Sequence, residues 1–141
     1  MKKMYSLLAA LVLTFVTGAA SAHAQDTTVR TYVPFDFTVS TSTLSAGDYT
    51  FSKLSANSWT IRNDKTGQAI VAVATAFGTN QDDNVGGLVF KQFGTNYFLS
   101  EVRYLGQTTA VPASKAERLM EREMARNGSK PEPAYVLIGS R

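Results

Sequence analysis

Alternation is the feature that most restricts how this chain can fold. From Tyr32 to Phe51 it reads YVPFDFTVSTSTLSAGDYTF. Val33, Phe35, Phe37 and Val39 alternate with Pro34, Asp36 and Thr38, the period of a strand with one face in a core and the other in water. Ala46-Gly47-Asp48 interrupts the pattern, and Tyr49 and Phe51 resume it. The stretch therefore predicts two strands and a turn. Asp36 then falls on the outward face, and Asp48 at a corner.

The same reading extends along the chain. Val29–Val39 is the first strand, with Pro34 marking an edge or a bend because it has no N–H to donate. Ser40–Thr43 reads as a polar turn, and Asp48–Leu54 and Ser58–Arg62 as the next strands. Asn63-Asp64-Lys65-Thr66-Gly67 is the strongest turn signal, since Asn and Asp suit turn geometry and Gly accepts positive φ. Gln68–Phe77 is apolar at nearly every position and rich in β-branched residues, which predicts a strand covered on both faces or central. A long polar loop, 78–86, follows. Gly87–Phe93 and Tyr97–Tyr104 form a hairpin, and Leu105–Pro112 is a connection.

Residues 114–126 change period. Ser114 with Glu117 three residues on is a capping box. Ala116, Leu119, Met120 and Met124 recur at helical spacing, an apolar stripe suited to packing on the core. Asn127-Gly128 stops the helix. In the tail, 127–141, Tyr135–Ile138 is either a short last strand or a docking segment. The fold expected is mainly β: a single-domain antiparallel sandwich or partly open barrel of six to seven strands with one C-terminal amphipathic helix.

The N-terminus predicts export. Lys2 and Lys3 precede an apolar run, Leu7–Val16, that is short for a bilayer span, and Ala22-His23-Ala24 has the form of a cleavage site. Cleavage after Ala24 leaves 117 of the 141 residues, enough for one domain with a substantial core. It also removes two of 14 basic residues, leaving 12 against 11 acidic and a net charge of +1 rather than +3. That balance does not favour nucleic acid as a partner. The expected location is the periplasm or the medium, with no membrane-spanning segment after cleavage. Cys is absent throughout and the one His, His23, lies in the leader. An exported domain without disulfides must rely on its hydrophobic core.

Four segments occur in order: VPFDFTV, LSAGDYTF, LVFKQFGTNYFLSEV and SKAERLMEREMAR. Together they resemble a family of short exported proteins common in acidobacterial and other soil-bacterial genomes, with V-P-F-x-F, L-P-A-G-x-Y, Y-F-L-S and S-K-A-E-R patterns. The likeness spans roughly Val33–Arg126 and departs at Ser45, where the family pattern has Pro. It implies an exported, single-domain, β-rich protein and supplies no catalytic residue.

Residues 25–141 contain neither Cys nor His, so Ser-His-Asp and Cys-His catalysis lack their base. Zinc, haem and iron–sulfur ligation lack their usual donors. A Ser114–Lys115 dyad is a poor arrangement, because neighbours on a helix diverge and Ser114 serves as the cap. Asp82, Asp83 and Asn84 could offer oxygens to calcium but lack the EF-hand order, and a solvated loop tip is the simpler assignment. Asp36, Asp48, Asp64 and Glu101 are scattered, which argues against a paired-carboxylate hydrolase. Gly86-Gly87 is no phosphate loop. Phe90, Phe93, Tyr97 and Phe98, with Lys91 and Arg103, could form a stacking platform, although core packing accounts for them better. Lys115, Arg118, Arg122 and Arg126 interleave with Glu117, Glu121 and Glu123, which reads as a solvated face rather than a membrane-binding basic helix.

No catalytic, cofactor-binding or metal residue is therefore assigned. The expectation is a non-enzymatic exported β-domain with a binding or envelope-structural role, whose partner is an envelope component or another protein. The alternative is a carrier holding an apolar small molecule or lipid between sheet and helix. A carboxylate-based hydrolase is more remote. Intact-mass measurement on protein recovered from its host is expected to give the mass of residues 25–141; the full-length mass would refute the leader assignment.

Overall fold

The computed structural model describes residues 27–79, 86–128 and 132–141. The expected leader, residues 1–24, and the trio Asp82, Asp83 and Asn84 lie outside them. In chain order the elements are β1 (Thr28–Val33), β2 (Phe37–Val39), β3 (Ser42–Leu44), β4 (Gly47–Ser55), β5 (Ser58–Asn63), β6 (Ala69–Val73), β7 (Thr75–Thr79), β8 (Gly87–Phe93), β9 (Asn96–Tyr104), β10 (Gln107–Ala110), α1 (Lys115–Arg126) and β11 (Ala134–Gly139).

Two sheets form. One is antiparallel, in the order β1-β4-β5-β6. The other runs β11-β8-β9-β10-β7, and the β2–β3 hairpin joins it by a parallel bridge from Thr38 to Phe98. Among the described residues the architecture is a β-sandwich with one helix near the C-terminus, and no closed barrel forms.

Alternation survives where the strands do not. Of the alternating residues, Val33, Phe37 and Val39 are buried, as expected, and Phe35 is partly buried against the core; Val29 is buried as well. Yet the expected single strand Val29–Val39 is cut at Pro34–Asp36, where the chain leaves the first sheet for the second. The chain keeps its apolar side toward the shared core while it changes sheet, so the pattern reads straight through the bend. Ser40–Thr43 proves to be a tighter turn, Ser40-Thr41, leading into β3, with Ser40 at φ 54°. The chain returns to the first sheet at Ser45–Ala46. Tyr32–Phe51 thus supplies parts of four strands rather than two.

Two bonds fix that return. The Ala46 N–H donates to Asp36 Oδ1 at 2.8 Å, so the outgoing and returning segments are tied together. The Tyr49 hydroxyl donates to the Ser45 carbonyl at 2.6 Å. The Asn63–Gly67 turn forms as predicted: Asn63 Oδ1 accepts from the N–H groups of Lys65 and Thr66 at 3.0 and 2.9 Å, and Gly67 has φ 74°.

Gln68–Phe77 departs from expectation. It splits at buried Ala74 into β6 and β7, one in each sheet, and β6 is an edge strand. Val71 and Val73 are 58% and 61% exposed, whereas Ala72 is buried. A continuous apolar run marks here a strand that changes sheets, not one covered on both faces. The described residues form eleven strands rather than six or seven, because both long strands divide and β3 and β10 emerge from segments read as a turn and a connection. Tyr135–Ile138 lies in β11, which pairs with β8.

A seam closes one side of the sandwich. Buried Thr31 donates its hydroxyl to the Gly139 carbonyl at 2.9 Å, and the Arg141 N–H donates to the Arg30 carbonyl at 2.9 Å. Between the sheets, Phe37 sits edge-on to Tyr49 and Phe90 at 5.2 and 5.3 Å. Phe51, Trp59, Ile61 and Leu88 complete the centre of the core.

Replacing Phe51 with Ala is expected to cost about 3–5 kcal/mol by urea denaturation, the range for emptying a buried aromatic site. Val71→Thr is expected to change stability by no more than about 0.5 kcal/mol, as on an exposed surface. Comparable losses in both would contradict the edge position of β6.

Candidate functional site

The site is built on the outer face of the second sheet. Phe90 lies in the core, so its neighbour Lys91 points the other way. Phe98 stands opposite Lys91 across the β8–β9 ladder and shares that face, as does Phe93 two residues along β8. Phe93 and Phe98 are buried, in edge contact at 6.0 Å. Tyr135 of β11 is the other cross-strand neighbour of Lys91, and Leu137 pairs with Val89 on the same face.

α1 is fastened here by one carboxylate with two tasks. Ser114 caps the helix, its hydroxyl accepting from the Glu117 N–H at 3.0 Å, and Glu117 Oε2 accepts from the Ser114 N–H at 3.3 Å. This is the expected capping box. The other oxygen, Oε1, accepts from the Lys91 ammonium at 2.9 Å. Glu117 is only 3% exposed. Its place at N3 was legible from the sequence, but its partner 26 residues back on a strand was not.

Burial acts most strongly on Lys91 and lowers its pKa. The hydrogen bond that Lys91 donates to Glu117, with the electrostatic influence of Glu117, Glu121 and Tyr135, outweighs that effect, and the net shift is upward from 10.5. The ion pair therefore holds Lys91 protonated.

The expected apolar stripe divides. Met120 and Met124 are half-buried, but Ala116 is exposed and Leu119 is 47% exposed. The only residue of the helix that is fully buried is Glu117. Charges that look balanced along the sequence are sorted in space. Glu117 and Glu121 bear on Lys91, toward the sheet. Lys115, Arg118, Arg122 and Arg126, spaced three, four and four residues apart, fall on the opposite, solvent-exposed face. Arg118 donates to the Ala113 carbonyl through Nε and Nη2 at 3.2 and 2.9 Å. Among the described residues none of these four cations has a carboxylate within 4.0 Å.

A groove of about 330 Å³ runs between the β2–β3 hairpin and the helix, with Thr38, Ser40, Thr41 and Thr43 on one side and Lys115, Ala116 and Leu119 on the other.

The other sequence candidates do not converge. Asp36 accepts from Ala46 N–H, Asp64 Oδ1 accepts from the Thr50 hydroxyl at 2.7 Å, and Asp48 lies 3.6 Å from the Arg141 guanidinium. Glu101 pairs with Arg103 on its own strand at 2.9 Å. The rings proposed as a platform are structural. Phe90, Phe93 and Phe98 are buried, and Tyr97 stacks on Phe35 at 3.8 Å. Ser114 is consumed by the cap.

Lys91→Met strands the Glu117 carboxylate and is expected to cost about 2–3 kcal/mol; broken buried pairs cost more, but Lys91 keeps 24% exposure of its side chain and some screening by water. The folded chain holds the Lys91 proton more tightly than the ordinary 10.5, so this stabilisation is complete below pH 10.5 and is lost as pH rises through the folded value. Denaturation midpoints of the wild type and Lys91→Met are expected to converge at high pH. A constant gap would show that the pair does not couple to titration.

No protein-family model matches the chain, and neither a curated protein nor a solved structure is found to be similar to it.

Proposed function

We propose that the chain is an exported, non-enzymatic bacterial β-domain that acts by binding or as a structural component of the envelope, and that it belongs to the soil-bacterial family it resembles. The observation that supports this reading is how its carboxylates are used. Asp36 ties two sheet crossings, Asp64 holds a turn, Glu101 pairs along a strand and Glu117 joins helix to sheet. A paired-carboxylate hydrolase needs two acids flanking one bond, about 5–10 Å apart and free to exchange protons. Here the four acids lie on different segments and each is engaged by its own local partner. Among the described residues, the helix and the groove beside it offer a surface for interaction.

The groove also favours a second reading, a carrier of an apolar small molecule or lipid. It lies between sheet and helix, where such a ligand was expected, and its volume of about 330 Å³ falls at the lower end of small-molecule sites. Retention of a ligand by protein taken from its host, seen as excess mass in native mass spectrometry, would select this reading.

Deletion of the gene is expected to weaken the envelope barrier against detergent. A copy carrying Asp36→Asn, Asp48→Asn and Glu101→Gln, checked for folding by circular dichroism, is expected to restore it. A folded triple variant that fails to restore the barrier would point to carboxylate chemistry and overturn the non-enzymatic reading.

A further inference from the structure

We propose that the outer side of the second sheet, formed by the exposed ridge of α1 with Tyr135 and Leu137 of β11, docks on the surface of an anionic phospholipid bilayer. This rests on the binding reading above and names its partner.

The charge pattern is the first reason. Lys115, Arg118, Arg122 and Arg126 form a row of four cations along about 16 Å of helix, given a rise of about 1.5 Å per residue. All four are exposed, and none is neutralised by an ion pair among the described residues. Glu123 is the only exposed carboxylate on the helix. A row of exposed, uncompensated cations spread along the helix suits an extended array of phosphates better than a single anion.

Apolar groups among the cations are the second reason. Leu119 is 47% exposed, and with Lys115, Arg118 and Arg122 it lines a concavity of about 340 Å³. Tyr135 and Leu137 are 63% and 47% exposed and lie on the same sheet face to which α1 is fastened. Leu119 stands among basic side chains, and Tyr135 and Leu137 add exposed apolar area on the sheet face that carries the helix, a composition that matches interfacial docking surfaces. There the apolar groups enter the headgroup layer while the cations meet phosphates. A soluble polyanion would engage the cations but would leave Leu119, Tyr135 and Leu137 in water.

The fastening explains how the ridge is kept outward. Because Glu117 turns in to Lys91, the face opposite it on the helix must turn out. The helix adds no membrane span: among the described residues no helix is long and apolar enough to cross a bilayer. Docking is therefore peripheral and dominated by charge.

The test is co-sedimentation of the protein, as its host delivers it, with vesicles of phosphatidylglycerol and phosphatidylethanolamine. Phosphatidylcholine vesicles subtract any binding through residues 7–16. Each cation near the surface is expected to add roughly five-fold to partitioning, so Arg122→Glu with Arg126→Glu is expected to lose at least about 25-fold. Both residues lie on the solvent face, so the variant keeps its fold; unchanged thermal unfolding checks this. Leu119→Ser is expected to lose less, and its remaining binding to stay salt-sensitive. Wild-type binding is expected to collapse from about 0.1 M to about 1 M salt, as the screening length falls from about 10 Å to about 3 Å. Equal binding to both lipid compositions, or equal binding by the folded double variant, would overturn the proposal. So would ridge-dependent binding to soluble polyglutamate without binding to vesicles. If vesicles fail while the double variant still restores the barrier in the deletion strain, lipid docking is wrong and the broader binding reading stands.

Discussion

One core serves both sheets because the chain crosses between them without losing its alternation. At Pro34–Asp36, at Ser45–Ala46 and at Ala74 it changes sheet while its apolar side stays turned inward. A chain without disulfides has no covalent means of holding two sheets together, so these crossings and the seam through Thr31, Gly139, Arg30 and Arg141 take that part. Asp36 belongs to this framework. Its carboxylate ties the outgoing crossing to the returning one, which gives an acid between two phenylalanines a structural reason to be there.

Much of this was legible in the sequence, and the failures have one physical source. Period-two alternation reports which side of the backbone faces the core: Val33, Phe37, Val39, Tyr49, Phe51, Trp59 and Ile61 are buried as it indicates, and Phe35 is partly buried against them. Alternation does not report which sheet the backbone belongs to. A strand that bends across the core keeps the same pattern, so Val29–Val39 and Gln68–Phe77 each read as one strand and are two. Pro34 carried a signal for the first bend. Ala74 carried none, because a small buried residue at a crossing looks like any other residue of an apolar run. Turns and caps were clearer: the Asn63–Gly67 turn and the Ser114–Glu117 box are local, and local hydrogen bonds depend on neighbours the sequence displays.

The helix shows the opposite limit. Its boundaries and cap follow from spacing, but its orientation follows from a contact with Lys91, which no local pattern contains. Spacing alone put Ala116, Leu119, Met120 and Met124 inward. The ion pair turns the helix so that Met120 and Met124 are only half-covered and Ala116 and Leu119 are left exposed. Sequence proximity likewise made the charges look balanced. Interleaved acids and bases cancel along a chain and separate around a helix, because residues three and four apart share a face while residues two apart do not.

A buried ion pair is a weak source of net stability, since desolvating both charges offsets much of their attraction. Its physical consequence here is orientation. An apolar stripe can slide or rotate over a flat sheet at little cost, because dispersion contacts are numerous and interchangeable. A carboxylate with one oxygen on Ser114 N–H and the other on a lysine ammonium has far fewer acceptable positions. Glu117 thereby converts a sheet face and a helix into a unit with a defined outside. With the inward side occupied by Glu117 and Glu121, the remaining basic residues of the helix have only the solvent face to occupy. The exposed ridge thus follows from where its one buried residue is held.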